Sequence, residues 1–168
     1  MRKILIAGVG NHLYGDDGFG PEVARRLAAG ELPEGVRAVD FGIRNLNLAY
    51  DMLAGSYDTT ILIDAVPRNE PAGTLYVMQP EVELAAASPA VNGSSINPQT
   101  VFSFFKSLGG NPGRVLIVGC EPKSLEEGSG LSEDVRAAAD EAVVMIREIV
   151  DRELSQAVGA SGEPAVAE

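Results

Sequence analysis

A chain of 168 residues fits one domain rather than two, and it is long enough to bury a sizeable core without staples. Its formal net charge of −11 argues against nucleic acid as a partner, since phosphates select basic patches, and favours cationic or metal-bearing partners. A lone cysteine, Cys120, excludes an internal disulfide and points to a cytoplasmic compartment, and no stretch approaches the ~20 apolar residues of a membrane span.

The elements follow in chain order. Met1-Arg2-Lys3 leads into an apolar run too short for a signal peptide. Lys3 to Val9 reads instead as a buried strand, closed by Gly8 and Gly10. A polar, glycine-rich loop runs from Gly10 to Gly20. Pro21 suits the first turn of a helix, where its missing N–H costs nothing. That helix is expected to turn Val23, Leu27 and Ala28 inward and to stop near Gly30. Val36 to Phe41 reads as a second strand, and Leu46 to Leu53 as a short helix stopped by Gly55. Thr59 to Val66 is a continuous, β-branched run, which marks a central strand. Thr74 to Met78 is a further strand, entered through Pro71 and Gly73.

Residues 82–96 match no period and read as a long loop, of the kind that is functional or mobile. Val101, Phe104, Phe105 and Leu108 lie at i, i+3, i+4 and i+7, which predicts a helix over Thr100 to Leu108. Arg114 to Cys120 is the last buried strand. Ser132 is a suitable N-cap for a helix with Val135, Ala139, Ala142, Val143, Ile146 and Val150 on its apolar face. The domain is expected to span 1–154, and the Gly/Ala/Ser/Glu-rich residues 155–168 to form a disordered tail. Strands alternating with helices imply an α/β fold: one mostly parallel, twisted sheet with helices on both faces. Ligands of such sheets sit beyond the carboxyl ends of the strands.

Two acidic positions stand at those ends. Asp16-Asp17-Gly18 lies in the loop after the first strand, and Asp64 closes the central one. A carboxylate in such surroundings is costly unless paired or liganded. Two of them at about 4 Å repel by about 4 kcal/mol at an effective dielectric near 20, so they must share a proton or hold a cation. The plainer alternative is that Asp17 caps the following helix and Asp64 the turn after its strand. Gly8-Val9-Gly10 also suggests a dinucleotide loop, but Leu13 stands where the fingerprint needs its third glycine, and Asp16 and Asp17 would repel phosphate. Cys120 reads as a small core residue. Glu121 could line a cleft or simply be solvated. His12 reads as a loop residue or as a compensating ligand. There is no Ser-His-Asp set and no HExxH motif.

Gly8-Val9-Gly10-Asn11 followed by Gly15-Asp16-Asp17-Gly18-Phe19-Gly20 resembles the opening motif of the [NiFe]-hydrogenase maturation endopeptidases. Asp40-Phe41-Gly42-Ile43-Arg44, Ile63-Asp64-Ala65-Val66, Pro71-Ala72-Gly73-Thr74 and Val118-Gly119-Cys120-Glu121-Pro122 continue the resemblance in order, from Lys3 to about Arg152. It implies a phosphorylase/hydrolase-like three-layer sandwich and a protease of the aspartic type. That protease clips the C-terminal extension from the precursor of a [NiFe]-hydrogenase large subunit once nickel is in place. The nickel would come with the substrate, with no tightly bound cofactor, nucleic acid or membrane involved. By the same resemblance Asp17 and Asp64 are the catalytic, metal-recognising carboxylates. Asp16, Asp40, Gly42 and Arg44 fall beside the substrate cleft. The family's third ligand is a histidine shortly before an Asn-Pro or Asp-Pro. In Val91-Asn92-Gly93-Ser94-Ser95-Ile96-Asn97-Pro98 its place falls on Ser94, a poor ligand for nickel. Two functions therefore remain open: the endopeptidase, or a non-catalytic module that recognises the nickel-loaded precursor.

Overall fold

The computed structural model describes residues 1–79, 102 and 105–162. Ser94 and the loop over 82–96 lie outside the described residues, as do Val101 and Phe104. Five strands form one sheet: β1 (Ile4–Val9), β2 (Val36–Gly42), β3 (Thr59–Ala65), β4 (Leu75–Met78) and β5 (Arg114–Cys120). Their order is β2-β1-β3-β5-β4, with every neighbouring pair parallel except β4 and β5. A single 3₁₀ turn (Gly15–Gly18) leads into α1 (Phe19–Ala29); α2 spans Asn45–Gly55 and α3 spans Glu133–Gly162.

β1, β3 and β5 are apolar at nearly every position because helices cover both faces of the sheet. Their side chains alternate between two cores. Ile4, Ile6, Ile61, Ile63, Leu116 and Val118 pack with Phe19, Val23 and Leu27 of α1 and with Val135, Ala139 and Ile146 of α3. Leu5, Ala7, Leu62, Val115 and Ile117 face the other way, onto Leu48 and Met52 of α2 and onto Phe102 and Phe105. Phe102 and residues 105–107 are helical, as the spacing predicts, but Leu108 sits in the turn beyond and is exposed.

Two details correct the sequence reading. Ala24 rather than Ala28 completes the buried stripe of α1, because 23, 24 and 27 share one face while 28 belongs to the last, solvated turn. α3 continues through the expected boundary at 154 to Gly162; residues 163–168 lie outside the described residues. Near that end the buried Glu153 joins the helix to the starts of two strands. It accepts hydrogen bonds from Arg114 Nε of β5 (3.0 Å) and Thr59 Oγ1 of β3 (3.0 Å).

The strand order explains where a site forms. From β1 the chain passes through α1 to β2 on one side. It then passes through α2 to β3 on the other. Adjacent strands β1 and β3 therefore send their following segments apart, which opens a crevice at their carboxyl ends.

Candidate functional site

Three glycines draw the first loop into that crevice. A Cβ on Gly20 would collide with the carbonyl oxygens of Ile63 and Val9, so only glycine lets the start of α1 sit across the ends of β1 and β3. A Cβ on Gly8 would strike the Gly20 carbonyl oxygen. Gly10 adopts φ +135°, and a Cβ there would strike the carbonyl of Asp17. The loop is thus folded flat against the strand it leaves, and the 3₁₀ turn carries Asp16 and Asp17 inward, each 1% exposed.

Asp17 Oδ2 accepts the Asn11 backbone N–H at 2.8 Å. It does not cap α1: the residue ahead of the helix is Gly18, and no side chain bonds the helix end. Asp64 is 5% exposed at the end of β3, and its Oδ1 accepts the Ala65 N–H at 2.8 Å. Burial raises the pKa of Asp17, partly offset by the Asn11 N–H. Burial pushes Asp64 well above the usual carboxylate range, and the charge of Asp17 pushes it further, against the one N–H from Ala65. The structure therefore brings these two predicted residues into one electrostatic unit. At neutral pH such a pair is suited to share a proton or to receive a cation. Among the described residues no third His, Cys, Asp or Glu completes a metal-sized group with them.

Asp16, its sequence neighbour, has different work. Its carboxylate accepts backbone N–H groups from Lys123 (2.8 Å), Ser124 (3.2 Å) and Ser132 (2.7 Å), and the Ser132 hydroxyl (2.9 Å). It ties the first loop to the segment leading into α3, which also pairs with that loop through Gly15 N–H to the Gly128 carbonyl and Gly128 N–H to the Leu13 carbonyl. Asp16 acts as a strut between the first loop and the segment ahead of α3.

The turn after β2 adjoins the loop, since the Gly10 N–H donates to the Gly42 carbonyl at 2.9 Å. Gly42 takes φ +60°, which glycine supplies without strain. The Asp40 carboxylate is held by Arg25 Nη1 at 2.9 Å. Arg44 folds back on the turn, donating Nε to the Phe41 carbonyl (2.8 Å) and Nη2 to the Asp40 carbonyl.

Cys120 is fully buried. Burial, with the charges of Asp16 and Glu121, pushes its thiol up to about 12, so it packs rather than attacks. Glu121 is also buried. Burial pushes its pKa up, but the Tyr76 hydroxyl (2.7 Å) and the backbone N–H groups of 68–70 outweigh this and hold it below the usual range. It fastens the turn ahead of β4. His12 is exposed and lines a separate cleft with Arg25, Arg26 and Arg136, a cationic grouping that sequence reasoning missed. The signal was divided between Glu22, Arg25 and Arg26 on one helix and Arg136 more than a hundred residues later.

The family model for hydrogenase maturation protease matches residues 21–149. The chain is 31% identical over 152 residues to the hydrogenase expression/formation protein HupD of Rhizobium leguminosarum bv. viciae, covering 86% of this chain and 74% of that protein. Among solved structures it is similar to hydrogenase 2 maturation peptidase from Thaumarchaeota archaeon SCGC_AB-539-E09 (TM-score 0.69, 36% identity, 89% of this chain and 99% of that one). It is also similar to the hydrogenase maturating endopeptidase HybD from Escherichia coli (TM-score 0.75, 28% identity, 91% and 94%).

Proposed function

The chain belongs to the hydrogenase maturation protease family, and from that premise we propose that it is an endopeptidase removing the C-terminal extension of a [NiFe]-hydrogenase large-subunit precursor after nickel insertion. The observation that carries this reading is the pairing of Asp17 and Asp64, buried and electrostatically coupled at the crevice between β1 and β3. Two carboxylates form a partial metal site. They suit an ion that arrives with most of its own ligands, as nickel held by the precursor would. The ion belongs to the substrate. Asp17 and Asp64 would grip it, and in doing so fix the neighbouring peptide bond at the mouth of the crevice. This mechanism does not lean on a side-chain nucleophile: among the described residues Cys120 is buried, and the sequence's one histidine, His12, lines the other cleft. We place the reaction in the cytoplasm, consistent with a single thiol and no disulfide. Among the described residues no helix is long and apolar enough to cross a membrane. A second reading, a module that recognises the loaded precursor without cutting it, draws on the missing third ligand among the described residues.

The deciding experiment mixes the protein with nickel-loaded precursor and follows the precursor's mass. Loss of a C-terminal peptide supports cleavage, whereas a stable complex of unchanged mass supports the second reading. Asp17→Asn and Asp64→Asn should each lower cleavage by at least about 100-fold, since each removes a ligand to the ion that positions the scissile bond. If the family's histidine position is Ser94, Ser94→His should raise both nickel affinity and cleavage above about pH 6.5, where imidazole is neutral, while Ser95→His should not. Equal effects of the two would place the third ligand elsewhere.

A further inference from the structure

A second cleft, of about 220 Å³, is walled by α1, the 3₁₀ turn and the start of α3. Arg25, Arg26 and Arg136 line it, with Glu22 as its one carboxylate and His12 at its edge. Three guanidinium groups line one recess of a chain of net charge −11, although two of them already engage carboxylates. Glu22 is gripped by Arg25 (2.8 Å) and Arg26 (2.9 Å). Each arginine extends its other arm outward, Arg25 to Asp40 (2.9 Å) and Arg26 to Asp140 (2.6 Å), whose side chain is 73% exposed. Exposed pairs of this kind are weak and exchange readily. Arg136 gives one amino group to the Leu131 carbonyl (3.1 Å) and makes no ion pair among the described residues. Gly130 adds backbone with open space at its Cβ position.

Planar guanidinium groups converging on a recess suit a carboxylate, which they bind through paired N–H donors. We propose that this cleft is a carboxylate-binding subsite for the peptide that the protease cuts. The inference rests on the endopeptidase reading and names a contact for the substrate beyond the nickel. Two links join the cleft to the site. Asp17 stands on the same 3₁₀ turn that forms the cleft wall, and Arg25 holds Asp40 near the end of β2. For this, a chain held at the Asp17–Asp64 crevice must cross that turn to reach the arginines.

Arg136→Glu tests it, because the residue is exposed and, among the described residues, its side chain bonds a local carbonyl. Arg152→Glu carries the same charge change on the same helix, 16 residues and about 24 Å further along. With nickel-loaded precursor, Arg136→Glu should raise KM about tenfold or more at unchanged kcat, while Arg152→Glu stays within about twofold. If the wild type binds precursor without cutting it, the same contrast should appear in Kd by titration, so failure of the protease reading remains separate from failure of the subsite. Two substrate arms identify the carboxylate: amidation of the precursor's C-terminus, and Asp/Glu→Asn/Gln exchange within the extension. One arm should reproduce the loss in wild type and add nothing in Arg136→Glu. Equal effects of the two arginine variants, or no effect of either substrate arm, would overturn the proposal.

Discussion

Asp64 is held where an ionised carboxylate is disfavoured, and that has a measurable cost to the fold. Its ordinary value is 3.8, and burial together with the Asp17 charge raises it well above that. Below about pH 3.8 the group is neutral in both folded and unfolded chains and contributes no difference. As pH rises the unfolded chain ionises first, so stability falls until the raised folded pKa is passed. Asp64→Asn keeps an oxygen for the Ala65 N–H and removes the ionisation. It should therefore raise Tm at neutral pH, by about 2–4 °C per kcal/mol gained, and the gain should vanish near pH 3.5. Thermal unfolding at the two pH values reads this directly, and an equal gain at both would mean that ionisation is not the cause. Asp16 should behave oppositely. Asp16→Ala strands the N–H groups of Lys123, Ser124 and Ser132, and should cost about 3–5 kcal/mol in urea unfolding. Adjacent aspartates in one motif thus differ in surroundings: Asp16 is saturated with hydrogen bonds, while Asp17 accepts one N–H and is coupled to Asp64. The sequence does not distinguish them, because the partners of Asp16 are more than a hundred residues away.

At the level of elements, β1, β3 and β5 were legible because burial on two faces leaves them almost wholly apolar, a pattern visible residue by residue. β4 is short and only partly buried, and nothing in Leu75–Met78 signals that it pairs antiparallel to β5. The most constrained junction is the entry to α1. Gly20 reads in the sequence as one of several loop glycines, yet it is the point where helix and two strands meet at backbone contact. Gly20→Ala would drive a methyl group into the Val9 and Ile63 carbonyls, which are fixed in the ladder and cannot yield independently. It should cost about 2–3 kcal/mol, seen as a Tm lowered by about 5–10 °C. It should also impair precursor cleavage beyond the loss of folded protein, since lifting α1 moves the Asp17 turn away from β3. Wild-type stability in this variant would mean that the junction is looser than its geometry.

For the whole molecule, the site followed from the topology more than from any single motif. The order β2-β1-β3-β5-β4 places the segments after β1 and β3 at one crevice, so Asp17 and Asp64, 47 positions apart, meet there. The arginine cleft was hidden for the complementary reason, as it is assembled from helices that the sheet holds side by side. The carboxyl-terminal limit of the domain is a similar matter of contact. The Gly/Ala/Ser/Glu-rich composition beyond 154 reads as a tail, but α3 runs on to Gly162. Ile149, Val150 and Glu153 are buried, whereas Ser155 and Gln156 are exposed. A chain ending at Ser155 should keep its Tm within about 2 °C, because it retains Glu153 and every buried residue of α3 named above, and fraying a helix end costs little. A chain ending at Asp151 loses Glu153, leaving Arg114 and Thr59 without their shared partner at the starts of β5 and β3. That truncation should lower stability by about 2–3 kcal/mol, or about 5–10 °C in Tm. Glu153→Gln in the full chain should reproduce part of the loss, because the amide still accepts a hydrogen bond but no longer balances the guanidinium. If the chain ending at Asp151 matched the one ending at Ser155 in Tm, the apolar contacts of α3 up to Val150 would suffice, and the Glu153 linkage would be incidental to the fold.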